Sequence, residues 1–257
     1  VTHSWKVVPL TSDQRRDIND EDIVWHGATP LYRRCLTYKG GGGYDKFPQY
    51  AYKRGLVCEP VEASVQFVVQ LYGCNLDCPF CYVTRRGVWD KPIKRGTTDL
   101  VLDFLAASVT HGCRVFHLMG GAPALQLQYW PELLNALEIG HLFHSDLMLT
   151  EKPYTKNMMR MIDYPNALYA VNIKGLTPET FYTNTRKRLN QALLRHNLTQ
   201  LLDFLPYDRW YLTFTNVPSR ERNIFLKDLP HKVDWFDIDL IAYEAVSYVD
   251  NRSWGGQ

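Results

Sequence analysis

From Ala63 onward, short apolar runs alternate with stretches whose apolar residues recur at helical spacing. Ser64 to Leu71, Ser-Val-Gln-Phe-Val-Val-Gln-Leu, is rich in β-branched and aromatic residues and predicts a strand. Thr98 then serves as an N-cap, and Val101, Leu102, Leu105, Ala106 and Val109 predict a helix of about three turns. Val115 to Met119 is a second strand. The helix after it opens near Tyr129, carries Pro131 in its first turn, and turns Trp130, Leu133, Leu134 and Leu137 inward. Further strands are predicted at Asp146 to Thr150, Leu168 to Ile173, Trp210 to Phe214 and Phe236 to Ile241, with helices at Lys156 to Met161, Asn190 to Phe204 and Arg220 to Leu226. Such alternation means parallel strands joined by crossover helices. Six units predict an α/β fold, an incomplete parallel (β/α)6 barrel or partial TIM barrel, whose chemistry belongs at the C-terminal strand ends.

Residues 1 to 60 read differently. They are aromatic and basic with little periodicity, and predict an irregular N-terminal extension or cap, with the core barrel spanning 61 to 257. Four consecutive glycines in Lys39-Gly40-Gly41-Gly42-Gly43-Tyr44 give a loop or hinge, since glycine packs nothing and restricts nothing. A phosphate cradle there lacks both the Lys-Ser/Thr ending and a preceding apolar strand.

Composition narrows the class. A chain of 257 residues, 46% hydrophobic, can bury a substantial core. No run of about 18 apolar residues occurs, so no membrane partner is predicted, and Val1 to Leu10 lacks a secretory pattern. The expectation is a cytoplasmic protein. With 29 basic and 27 acidic residues the net charge is +2, too balanced to indicate nucleic acid. The local group Arg85, Arg86, Lys91, Lys94 and Arg95 is either a solvated face or a rim that attracts an anionic substrate or an acidic electron donor.

Three of the six cysteines, Cys74, Cys78 and Cys81, fall in the run Cys74-Asn75-Leu76-Asp77-Cys78-Pro79-Phe80-Cys81-Tyr82, directly after the first predicted barrel strand. Such spacing favours metal ligation over a disulfide framework. Three thiolates can wrap a 4Fe-4S cluster and leave one iron without a protein ligand. The competing assignment is a zinc knot, which normally takes four ligands, and no partner pair of matching spacing is present. Cys35, Cys58 and Cys113 are scattered and read as buried thiols.

The Cys-x3-Cys-x2-Cys spacing, with an aromatic residue before the last cysteine, resembles the signature of the radical S-adenosylmethionine enzymes, and the resemblance runs from about Ala63 to Glu244. It implies a 4Fe-4S cluster on Cys74, Cys78 and Cys81, with S-adenosylmethionine chelating the open iron. Reductive cleavage would give methionine and a 5'-deoxyadenosyl radical that abstracts hydrogen from a substrate. An electron donor such as flavodoxin or ferredoxin is implied as partner.

Other segments follow from the same resemblance. Phe80 stands at the position near the adenine, with Tyr82 a neighbouring aromatic. Met119-Gly120-Gly121-Ala122-Pro123 is similar to the family's Gly-Gly-Glu-Pro segment, whose backbone meets the methionine amino group, so Gly120 and Gly121 are cofactor-binding candidates. Ala122 replaces the glutamate, and the lost acceptor must be supplied by carbonyl oxygens or another side chain. Alternation puts Asn172 and Lys174 on one strand face. They look like the Asp-x-Lys pair that meets ribose and carboxylate in the glycyl-radical activating branch, with the acid replaced by its amide. Ile241, Ala242 and Tyr243 resemble the segment backing the adenine. Thr150, Glu151 and Lys152 end the third predicted strand and Asn216 follows the fifth, all placed to reach cofactor or substrate. His111 and His117 flank or enter the second strand without a clear role.

The function implied is hydrogen abstraction from an unidentified small molecule, nucleoside or peptide. Two alternatives stand beside it: activation of a partner glycyl-radical enzyme, and a non-catalytic iron-sulfur electron relay.

Overall fold

The computed structural model describes residues 4–16, 18–36, 65–81, 83, 89, 91–137, 141–230 and 233–238. The N-terminal part holds β1 (Ser4–Val7), α1 (Ser12–Arg16), β2 (Ile23–His26) and β3 (Thr29–Leu36). Then come β4 (Val65–Gln70), β5 (Ile93–Gly96), α2 (Thr97–His111), β6 (Val115–Met119), α3 (Trp130–Ala136) and β7 (Leu142–Met148). The remainder is α4 (Lys156–Met161), β8 (Ala167–Ile173), α5 (Pro178–Thr185), α6 (Gln191–Phe204), β9 (Trp210–Thr215), α7 (Ser219–Lys227) and β10 (Trp235–Ile238).

One sheet runs in the order β10-β9-β8-β7-β6-β4-β3-β2. Every pair from β10 to β4 is parallel, whereas β4–β3 and β3–β2 are antiparallel. The six parallel strands are those that the apolar runs predict, joined by helices in the predicted alternation. The sheet stays open, with β10 and β2 at opposite edges, so the barrel is incomplete.

Differences from the sequence reading have physical reasons. The third barrel strand begins at Leu142, four residues before the predicted start, and ends at Met148; the polar pair His144 and Ser145 masks its first half in the sequence. The sixth begins at Trp235, and the predicted end at Ile241 lies outside the described residues. Helix α2 buries Leu100, Phe104 and Ala107, while Leu102 and Val109 are exposed; of the predicted face, only Val101 is buried. The N-terminal stretch is also more regular than its weak periodicity suggests. Hairpin β2–β3 extends the barrel sheet past β4, and β1 pairs with β5. Its signal is diluted because β1 and β2 have only four residues each, and β1 draws its partner from beyond the cysteine loop. The glycine run lies outside the described residues.

Strand alternation sorts the sheet into two unlike faces. On the helix side, Phe67, Phe116, Phe143, Tyr169, Leu212 and Phe214 join Leu100, Phe104, Trp130, Leu133 and Leu201 in one apolar core. Phe116 meets Phe104 at 5.4 Å and Phe67 at 5.6 Å between ring centroids. The inner face carries Gln66, Gln70, His117, His144, Asp146, Asn172, Tyr211, Thr213 and Thr215. The helices pack on the apolar face, and the polar lining of the opposite face leads to the C-terminal strand ends. No helix among the described residues is long and apolar enough to cross a membrane.

Two helix-borne asparagines hold the loops at that end. Asn197 of α6 is fully buried; its Oδ1 accepts from the Tyr154 amide at 2.7 Å and its Nδ2 donates to the Leu149 and Lys152 carbonyls at 2.8 Å each. Asn184 of α5 donates through Nδ2 to the carbonyls of Lys174 and Asn216 and accepts from Asn216 Nδ2 at 2.7 Å. Replacing Asn197 by isosteric but apolar Leu leaves three buried backbone groups unpaired, each of which is costly. We expect Asn197→Leu to lower stability by about 3 kcal/mol in urea unfolding, with Asn197→Asp costing less because its carboxylate still accepts from Tyr154.

Candidate functional site

The cysteine loop leaves β4 and is tied down at four points. Leu71 N donates to Met119 O at 2.9 Å, Ala122 N to Gly73 O at 2.8 Å, and Asp77 N to Thr185 O at 3.0 Å. Asn75 Nδ2 donates to Thr150 O at 2.9 Å and Glu151 O at 3.2 Å. The loop is thereby fastened to the ends of β6 and β7 and to α5.

Cys74, Cys78 and Cys81 are free thiols, each partly exposed. Leu76 N donates to Cys74 Sγ at 3.4 Å, Cys81 N to Cys78 O at 3.1 Å, and Cys81 Sγ to Val83 O at 3.0 Å. Burial pushes the Cys74 thiol up to about 12, with the charges of Cys81 and Cys78 adding to the rise. Burial likewise raises Cys78 to about 11, opposed by the Lys174 ammonium. Cys74 and Cys78 are thus held as thiols, the form from which a soft metal must displace protons. Among the described residues no three His, Cys, Asp or Glu side chains already converge on a metal position.

The Gly-Gly turn after β6 abuts this loop. Gly121 sits at φ +63°, and a Cβ there would lie 2.3 Å from Gly73 O and 2.5 Å from Leu71 O. Gly120, at φ +70°, would press its Cβ on Gln70. Both positions therefore require glycine, for conformation and for close approach. Ala122 is buried in a small apolar cluster with Leu76, Met148 and Phe181.

Asn172 and Lys174 reach the same recess, which Leu76, Met148, Thr150 and Phe181 also line. Asn172 Oδ1 accepts from Thr215 Oγ1 at 3.1 Å. Lys174 Nζ lies 5.5 Å from the centroid of the Phe80 ring, a cation–π distance. Phe80 is itself buried, so the cation, the ring and the thiol loop form one wall.

Not every candidate joins the site. Lys152 turns outward, its Nζ donating to Leu125 O and Gln128 Oε1 at 3.4 Å each. Asn216 is exposed and serves the Asn184 clamp, at φ +51°. Ile241, Ala242, Tyr243, Tyr82, Arg85 and Arg86 lie outside the described residues, as does Cys58; nothing is described of the Cys35 side chain. Cys113 is buried, as predicted. Arg95, from the basic group, pairs with Asp103 at 2.6 Å and contacts Tyr32, so it braces β3, β5 and α2 rather than forming part of a rim.

Sequence reasoning missed one acid, Asp146. Asp146 and Glu151 sit on and beyond β7, and Glu151 was visible only as a residue at a predicted strand end. The signal for Asp146 is period-two spacing with His144 and Met148, the mark of a shared inner face. Deeper in, His117 Nδ1 contacts Gln66 Oε1, and His144 Nε2 lies 3.0 Å from Tyr211 OH. Burial lowers His117 to about 3 and His144 well below its usual value, so both imidazoles are neutral at pH 7. Asp146 is only partly covered as a whole, but its Oδ1 is buried without a hydrogen-bond partner among the described residues. Burial raises its carboxyl to about 6, with Lys174 opposing.

The Asp146 shift sets a stability dependence. The unfolded chain releases this proton near 3.8 and the folded chain near 6, so between these values the folded state binds more protons. Its contribution is fully present below about pH 4 and is lost as pH rises to about 6. Asp146→Asn should remove that slope and, in urea titrations of the metal-free protein at pH 7, raise stability by about 2–3 kcal/mol.

The family described as the Radical SAM superfamily matches residues 68–203, more than half of the chain. No curated protein sequence matches. Among solved structures, QueE from Escherichia coli is similar at 16% identity and a TM-score of 0.36, over 68% of this chain and 85% of that one. Native anSMEcpe with bound AdoMet is similar at 14% identity and a TM-score of 0.47, over 65% of this chain and 49% of that one. Streptococcus suis SuiB is similar at 12% identity and a TM-score of 0.39, over 72% and 52% respectively. The chain thus spans about half the length of the last two. With three thiols on the loop that leaves the first strand of an open parallel barrel, and a family match that runs through that loop, the chain belongs to the radical SAM superfamily and is an enzyme of the kind that uses a 4Fe-4S cluster and S-adenosylmethionine.

Proposed function

We propose that Cys74, Cys78 and Cys81 hold the 4Fe-4S cluster and that the recess beside them receives S-adenosylmethionine for hydrogen abstraction from a small molecule, nucleoside or peptide. The donor set fits: three soft ligands share one loop, and the Lys174 cation stands beside Cys78 where cluster and cofactor bring negative charge. Held there, the cluster would supply the electron for reductive cleavage of S-adenosylmethionine, the source of the radical that abstracts hydrogen.

The chain's own residues bind and orient. Lys174 neutralises the methionine carboxylate, and Asn172, whose Oδ1 accepts from Thr215 Oγ1, offers its amide Nδ2 to the ribose. Phe80 walls the adenine side together with Lys174. Gly120 and Gly121 bring backbone near the methionine, while Gly121 also seats the cysteine loop. Ile241 is proposed to back the adenine.

The N-terminal 60 residues are proposed as a cap on a core spanning 61 to 257. Val8 N donates to Gln70 O at 2.8 Å, and Gln14 Nε2 donates to Gln70 Oε1 at 2.6 Å, so residues 8–14 lie against the end of β4 where the cysteine loop departs. A cap there excludes water and oxygen from the radical. Flavodoxin or ferredoxin is the proposed reductant and the cytoplasm the proposed compartment.

The observation that carries the reading is the gathering of three thiols and Lys174 at one end of the parallel strands. Anaerobic reconstitution with iron and sulfide should yield a brown protein with about four irons, and reduction with S-adenosylmethionine present should release 5'-deoxyadenosine. Each Cys→Ala variant should lose cluster and product together. Zinc without sulfide would reject the assignment; a loaded cluster that yields no 5'-deoxyadenosine would favour the electron relay. Because the Cys74 and Cys78 thiols are raised to about 12 and 11, ligation releases protons, and cluster loading should weaken as pH falls. Lys174→Met should keep the cluster and weaken cofactor binding about tenfold, read by equilibrium dialysis.

A further inference from the structure

Glu151 is the most poorly accommodated charge-bearing group in the described site. It is 8% exposed, and neither carboxylate oxygen has a hydrogen-bond partner among the described residues. The Ala124 amide lies close enough to favour the charged form, yet it does not meet either oxygen in bonding geometry. Lys152, its chain neighbour, is turned toward Leu125 and Gln128. A buried carboxyl without donors is costly unless something the structure does not contain completes it.

Its place says what that something is. Residue 151 follows β7, the strand beside β6, whose end carries Gly120, Gly121 and Ala122. Asn75 of the cysteine loop bonds to the Glu151 carbonyl, and the Glu151 charge is felt at Cys74. Glu151 is therefore buried within electrostatic reach of the thiol loop at Cys74, with its carboxyl near the Ala124 amide just past the Gly-Gly turn. Ala122, at the position where the resembled segment has its glutamate, is 1% exposed among apolar neighbours and offers no acceptor. One acceptor is missing at the end of β6, and one unpartnered acceptor is present at the end of the adjacent strand.

Resting on the function proposed above, we infer that Glu151 is the side-chain acceptor for the α-amino group of S-adenosylmethionine, taking from β7 the role that Ala122 cannot fill on β6. The amino group would donate to the Glu151 carboxylate while Lys174 faces the carboxylate of the same methionine. The two ends of one zwitterion are thus met by opposite charges from β7 and β8.

The test uses anaerobically loaded, unreduced protein, so that binding is read without turnover. Iron and sulfide content, thermal unfolding of the metal-free protein, and equilibrium dialysis are compared for wild type and Glu151→Gln. Two ligands are used: S-adenosylmethionine, and its analogue in which the α-amino group is replaced by hydrogen. Glu151→Gln should load the cluster normally and unfold at the same temperature as wild type or higher. It should bind S-adenosylmethionine about 10- to 100-fold more weakly and bind the analogue within about twofold of wild type. Unchanged S-adenosylmethionine affinity overturns the inference, as does equal loss of both ligands. Failure of the variant to take up iron and sulfide also overturns it, since Glu151 would then serve the cysteine loop. Wild-type protein that loads its cluster but binds no S-adenosylmethionine would instead remove the function on which the inference rests.

Discussion

The carbonyl oxygen of Gly73 occupies space that any side chain at residue 121 would need. That backbone-to-backbone contact, reinforced by the Ala122 amide donating to the same oxygen, sets where the loop after β4 begins. The parallel register of β4 and β6 brings the two segments together, Gln70 opposite Met119, and the absence of a Cβ lets them close. Everything downstream follows from this origin: the thiols start one residue later, and Asn75 can reach the end of β7 only because Cys74 is already placed. A shared strand register is thus converted into the position of sulfur atoms.

Much of this was legible in the sequence, and for identifiable reasons. The six parallel strands announce themselves because β4, β8 and β9 are buried on both faces and so read as apolar or aromatic runs. The first half of β7 is hidden in the sequence because His144 and Ser145, though fully buried, break the apolar signal. Helix α2 misled differently. It offers two apolar stripes, and pattern alone could not say that Phe104 would bury against Phe67 and Phe116 while Leu102 and Val109 faced solvent. Among site residues, the thiols, glycines and the Asn172–Lys174 pair stand out by spacing. Glu151 does not, since its importance comes from what surrounds it in space and not from its neighbours in the chain.

The inner face also separates two kinds of polar group. Low in the sheet, Gln66 faces His117 and Tyr211 faces His144, and the imidazoles are kept neutral, so they fill the barrel without adding charge. Toward the strand ends, Asp146, Glu151 and Lys174 sit within electrostatic reach of one another, Glu151 also of Cys74 and Lys174 of Cys78. Charge is confined to the level at which a charged cofactor would lie, above a neutral floor that screens nothing and competes for nothing.

Asn184 and Asn197 complete that separation. Both are amides rather than acids or bases, yet between them they clamp the turns that follow β7, β8 and β9. Neither amide ionises, so the hydrogen bonds of these clamps carry no acidity dependence of their own. The acidity dependence that the strand ends do have belongs to the carboxyls and sulfurs beside them.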